Sequence, residues 1–125
     1  MEILADTTFL IDLQRKNQKA LDFLKRNSET SFCISTITIG ELMPGFIIKG
    51  ELSLKKFIYP FPVININEEI AIIYGKIFSQ LKKSGTLIGS NDLWIAASGL
   101  SIHLSVLTQN KRDFEKVEGL KILTY

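Results

Sequence analysis

Three acids in this chain stand where a fold can gather them. Asp6 directly follows the apolar run "EILA" (2–5). Glu41 lies a few residues past "SFCIS" (31–35). Asp92 stands at the entrance of the nearly all-apolar stretch "IGSNDLWIAASGL" (88–100). Close carboxylates repel one another and are costly to desolvate together, so either their pKa values rise or a cation neutralises them. An all-oxygen set suits a hard divalent ion. Magnesium is commonly held by one or two carboxylates together with waters and a substrate phosphate, and manganese fits similar ligands. Such a site supports metal-assisted phosphodiester hydrolysis, in which the ion polarises the phosphate, water attacks in line, and one protein acid accepts the water's proton. Taken singly, each acid also has a plainer reading. Asp6 can simply cap the helix that follows it. Asp92 can serve as a partner of the helix dipole, worth about 0.3–1 kcal/mol. Glu41, among Ile39, Leu42 and Met43, can sit on the exposed side of a helix.

For the three acids to meet, the surrounding elements must converge. "EILA" is a strand, "TFLIDLQRK" (8–16) and "QKALDFLKR" (18–26) are helices, and "SFCIS" is a strand. In the second helix Ala20, Leu21 and Leu24 share a face. "TITIGELMPGFIIKG" (36–50) reads as one helix bent at Pro44, which removes the bond to the carbonyl of Gly40. A weaker helix covers 52–59, and "FPVINI" (61–66) is a strand. The clearest helix is capped by Asn67, carries Glu68 and Glu69 in its first turn, repeats Ile70, Tyr74, Ile77, Phe78 and Leu81 on one side, and closes with Lys82, Lys83 and Gly85. The stretch containing Asp92 supplies another helix, capped by Ser90 or Asn91. A strand at 104–108, a short turn or helix at 111–114 and a last strand at 120–124 complete the chain. Strands alternating with helices predict an α/β fold, a parallel sheet with helices on both faces. In such sheets ligands bind beyond the carboxyl ends of the strands, which is where Asp6, Glu41 and Asp92 fall.

The bulk composition agrees with a packed domain. The chain has 125 residues, 46% hydrophobic and 22% charged, enough for one domain, 1–125, with a substantial core. Fifteen basic and 13 acidic residues leave a net charge of +2, too mild to identify a nucleic-acid binder, so any such role rests on local patches. The one cysteine, Cys33, precludes an internal disulfide framework and fits a reducing cytoplasm. No apolar run approaches the roughly 20 residues of a membrane span. "MEILADTTF" has no signal-peptide pattern, so a cytoplasmic location is expected. With His103 as the only histidine, a zinc or histidine-based site is not expected. Trp94 is expected in the core.

Four motifs in order, "DTTFLIDL" (6–13), "STITIGEL" (35–42), "NDLWIAASGL" (91–100) and "LTQNKRDF" (107–114) followed by "VEGLKIL", resemble those of PIN domains, and among them the small VapC-type ribonuclease toxins. The resemblance covers almost the whole chain. It implies a three-layer α/β/α fold and a magnesium- or manganese-dependent endoribonuclease, with Asp6, Glu41 and Asp92 as the catalytic, metal-holding acids. It also implies supporting roles for Thr7, Asn91 and Thr108. Family members often carry a further acid near the end of the strand that here reads "SVLTQN". The matching position here is Asn110, which is neutral, with Asp113 three residues later either reaching the site or lying on the surface. That departure motivates an alternative, a catalytically weak PIN-like module that binds RNA or a protein. The resemblance implies as partners an RNA substrate, a small antitoxin protein and a second copy of the chain. "MPGFIIKGELSLKKFIYPF" (43–61), apolar but interrupted by lysines, offers a surface for the antitoxin, although most of its apolar residues are expected in the core. Phosphate contacts supply most sequence-independent affinity for nucleic acid. Among the basic groups, Lys111 and Arg112, which flank Asn110, are the expected RNA contacts.

Overall fold

The computed structural model describes residues 2–125. Five parallel strands, β1 (Glu2–Ala5), β2 (Ser31–Ser35), β3 (Val63–Ile64), β4 (Ser105–Leu107) and β5 (Ile122–Leu123), form one sheet in the order β3-β2-β1-β4-β5. Leu4 of β1 pairs with Cys33 of β2 on one side and Val106 of β4 on the other. The chain winds outward from β1 to β2 and β3, then returns to the opposite side of β1 for β4 and β5. The order therefore reverses between β1 and β4, and a crevice opens there beyond the strand ends.

Alternation along the strands builds the two faces. Ile3, Ala5, Phe32, Ile34 and Leu107 point to one side, where α1 (Thr7–Gln14), α2 (Gln18–Arg26), α3 (Thr36–Leu42) and α4 (Glu51–Ile58) bury Phe9, Leu10, Ala20, Leu42 and Leu54 against them. Leu4, Cys33 and Val106 point to the other side. There α5 (Glu68–Ser84), α6 (Ser90–Ile102) and α7 (Lys111–Phe114) bury Ile70, Ile77, Leu81, Leu93, Ile95 and Phe114. The result is the expected three-layer α/β/α arrangement. Each fully buried Leu, Ile or Phe contributes about 1.5–3 kcal/mol. Trp94 belongs to the second core, its ring stacked on Tyr74 with centroids 3.8 Å apart. No helix among the described residues is long and apolar enough to cross a membrane.

Several ends differ from the sequence reading, each for a local reason. The helix expected over 36–50 stops at Leu42, tightens into a 3-10 turn at Met43–Phe46, and has left helical geometry by Gly50, whose φ is +95°. Pro44 has no N–H to donate and interrupts the α ladder rather than merely bending it. The strand expected over 61–66 is reduced to Val63–Ile64. Pro62 cannot donate to a ladder, although its carbonyl accepts from Ile34 N at 2.9 Å. Helix α6 is capped by Gly89, not by Ser90 or Asn91. Ser90 is already its first helical residue, and the Asn91 amide is engaged elsewhere. The Asn67 cap holds, its side chain accepting from Ile70 N at 2.9 Å, and Gly85 closes α5 in the left-handed conformation with φ +70°.

Candidate active site

The ends of β1, β2 and β4 and the start of α6 bring polar side chains together at the crevice. Asp6 leaves β1 as the N-cap of α1 and is 1% exposed. Such burial is tolerable because its carboxylate accepts three hydrogen bonds. Thr7 N donates to Oδ1 at 2.7 Å, while Thr108 Oγ1 at 2.7 Å and Thr8 Oγ1 at 3.1 Å donate to Oδ2. Burial raises its pKa, these donors pull it back down, and the charge of Glu41 pushes it further up.

Glu41 projects from α3. Its Oε1 accepts from Thr7 Oγ1 at 2.6 Å and its Oε2 from Asn91 Nδ2 at 3.2 Å. Thr7 has a single hydroxyl proton, which its bond to Glu41 uses. The 2.9 Å contact between the hydroxyls of Thr7 and Thr38 is therefore donated by Thr38. Thr38 is fully buried, so a relay runs from the core through Thr7 to Glu41.

Asp92, in the first turn of α6, is half-buried. Burial foremost, then the charge of Asp6, lift its carboxyl to about 6; the Asn110 amide partly offsets this, and Glu41 and Asp113 add to it. Asn110 Nδ2 donates at 3.0 Å both to Asp92 Oδ2 and to Asp113 Oδ2, and Asn110 N donates to Thr108 Oγ1 at 2.8 Å. Asp113 thus reaches the network through Asn110, while its other oxygen lies 3.6 Å from Lys116 Nζ.

Asp6, Glu41 and Asp92 lie within electrostatic reach of one another, joined through neutral donors at Thr7, Asn91, Thr108 and Asn110. Among the described residues, however, no three Asp, Glu, His or Cys side chains are drawn together tightly enough to form a ready-made metal cluster. Mutual repulsion favours that spacing. The donor chemistry nevertheless fits a hard cation. All the oxygens are carboxylates or hydroxyls, and the raised carboxyls of Asp6 and Asp92 are groups a positive charge would return to their ionised form.

The expected RNA contacts follow Asn110, the N-cap of α7, as its first two residues. Lys111 is exposed and lies 3.5 Å from Glu115 one turn along α7, and Arg112 is exposed beside it. Two members of the network, Thr8 and Thr38, were not singled out from sequence. Thr38 lies three residues before Glu41 on the same helix, a spacing that shares a face and was available as a signal. Thr8 carried no signal beyond its place next to Thr7. Cys33 takes no part. Its thiol donates to Ile3 O at 3.4 Å, and burial pushes its pKa up to about 11, which makes it inert.

Residues 3–120 match the PIN domain family. The chain is 39% identical over 124 residues to ribonuclease VapC1 of Methanocaldococcus jannaschii, covering 97% of this chain and 86% of that protein. Its fold is similar to that of DNA-bound VapBC from Salmonella typhimurium, with a TM-score of 0.87 and 28% identity, covering 99% of this chain and 98% of the other. It is also similar to a toxin–antitoxin complex from Klebsiella pneumoniae, with a TM-score of 0.81 and 28% identity, covering 98% of this chain and 96% of the other.

Proposed function

The chain belongs to the PIN domain family, and we propose that it is a metal-dependent endoribonuclease, the toxin of a type II toxin–antitoxin pair, hydrolysing RNA phosphodiester bonds as a single domain. The observation that carries this reading is the convergence of Asp6, Glu41 and Asp92 from separate elements at the carboxyl end of the sheet, bridged by hydroxyls and amides. The relatives support the class of reaction and the pairing with a second protein.

In this reading Asp6, Glu41 and Asp92 hold a magnesium or manganese ion. When bound, the ion supplies Lewis-acid polarisation of the phosphate and lowers the pKa of water for in-line attack. Thr108 and Thr8 fix the carboxylate of Asp6, and Thr7 and Asn91 fix that of Glu41. Asn110 orients Asp92, which would accept the proton lost by the attacking water. Lys111 and Arg112 face the RNA backbone from α7. The antitoxin covers the exposed apolar residues Ile47, Ile48, Leu52 and Tyr59, whereas Phe46 and Leu54 of the same stretch are core. The protein acts in the cytoplasm as a homodimer.

Incubating purified protein with total RNA tests this. Cleavage with magnesium or manganese, abolished by chelator and by Asp6→Asn or Asp92→Asn without loss of the folded state, is expected. Equal cleavage by wild type and both variants, or cleavage indifferent to chelator, contradicts it. Asn110 favours a second reading. A neutral amide bridges Asp92 and Asp113 at 3.0 Å, in keeping with a weakly catalytic module that binds RNA or protein. Failure to bind magnesium or manganese would select that reading.

A further inference from the structure

One cavity adjoins the acid network and is not used by the roles assigned above. A cleft of about 330 Å³ opens between α1 and the segment after α3, with Glu41, Gln14, Arg15, Gly45 and Lys49 among its walls. Pro44 accounts for its shape. The chain tightens into the 3-10 turn at Met43–Phe46 and turns again through 47–49, so that Lys49 shares the cleft with Arg15, the C-terminal cap of α1. Positions 34 residues apart in sequence thereby place two cations beside Glu41.

Neither cation is committed. Among the described residues, the ion pairs join Lys55 to Glu51, Lys111 to Glu115 and Lys116 to Asp113, and none includes Arg15 or Lys49. Glu41 shares the cleft but forms no ion pair with either of them, and its oxygens accept from the neutral Thr7 and Asn91. Both cations are exposed and free to meet an anion from solvent. An RNA strand approaching three carboxylates is repelled unless positive charge flanks its path. Guanidinium and ammonium groups together suit a phosphate, the first through its fork of donors and the second as a point charge. Lys111 is a weaker candidate, since it is already paired with Glu115.

We propose that this cleft binds one phosphate of the RNA strand flanking the cleaved linkage, with Arg15 and Lys49 as its counter-charges. The proposal rests on the ribonuclease reading above and deepens it.

A labelled single-stranded RNA oligonucleotide, titrated in the presence of chelator so that it stays intact, tests the proposal by fluorescence anisotropy over a range of salt concentrations. Arg15→Ala and Lys49→Ala should each weaken binding about three- to tenfold. The double variant should also lower the slope of log affinity against log salt by about 0.7, the value for one phosphate contact on a single strand. Lys83→Ala, at the far end of α5, should change neither. In oligonucleotides carrying one neutral methylphosphonate at successive positions, one position should cost the wild type affinity and cost the double variant nothing, while positions against Lys111 and Arg112 should cost both proteins alike. Both variants retaining wild-type affinity and salt slope would overturn the assignment of the cleft. If the wild type still bound and cut RNA, the ribonuclease reading would survive that result. If the wild type neither bound nor cut RNA, both would fall. Loss of binding to a polyglutamate peptide with RNA binding intact would also overturn the proposal, by giving the cleft to an acidic peptide.

Discussion

The hydroxyl of Thr108 donates to Oδ2 of Asp6 at 2.7 Å, joining the ends of β1 and β4 where the strand order reverses. Both residues are buried, so the bond links two strands and sets the orientation of an acid at once. Thr108→Val keeps the shape and removes the donor. With two donors still serving Asp6, the cost is about 1–2 kcal/mol at neutral pH, measurable by urea denaturation. Thr108→Ser should recover most of it. Equal stability of the valine and serine variants would show that the bond does not matter.

Asp92 predicts a trade between stability and function. Its carboxyl stands at about 6 in the folded protein against an ordinary value of 3.8. A raised acid binds its proton more tightly when folded. Its stabilising contribution is therefore complete below about 4 and is lost as pH rises through about 6. In chelator, wild type should lose stability relative to Asp92→Asn across that window. By pH 7.5 the variant should be the more stable by about 1 kcal/mol, a figure reduced for the half-exposure of the group. Parallel stability–pH curves for the two proteins would contradict this.

Thr38 acts on Glu41 only through Thr7. As a positioning residue, it should matter more to activity than to the fold. Thr38→Val should lower metal-dependent RNA cleavage roughly 10- to 100-fold, as loss of an outer partner commonly does. Thr38→Ser should restore it. Valine and serine variants that cleave alike would remove Thr38 from the relay.

Gly99 lies on the buried side of α6, the helix that carries Asp92. A Cβ there would meet Val106 Cγ2 at 3.0 Å, Leu120 Cδ1 at 3.1 Å and the carbonyl of Leu104 at 3.3 Å. Gly99→Ala gains helix propensity but must push α6 away from β4, and should lose about 1–3 kcal/mol net. A melting temperature at or above that of wild type would contradict such close packing.

The parts of the fold that could be read from sequence are those set by local chemistry. Asn67 and Gly85 delimit α5 because a side-chain cap and a left-handed glycine act within a few residues. The strands β1 and β2 are legible as apolar runs, and Asp6 falls beyond the first of them for the same reason. What escaped depends on contacts between distant segments. The relay from Thr38 to Glu41 passes through Thr7, 31 residues from Thr38 in sequence, and the direction of its proton follows only from which acceptor lies opposite. Pro44 was visible, but not that a 3-10 turn would carry Lys49 to the cleft beside Arg15. Lys111 is expected from sequence as an RNA contact, and it lies against Glu115, a pairing that exists only once α7 is formed.

Calorimetric titration of manganese into the metal-free protein tests most directly whether Asp6, Glu41 and Asp92 make one cation site. Saturable binding to the wild type is expected, weakened at least roughly tenfold by Asp6→Asn and by Asp92→Asn, with both variants still folded. Wild type that takes up no manganese, or variants that bind it as tightly as wild type, would contradict the account.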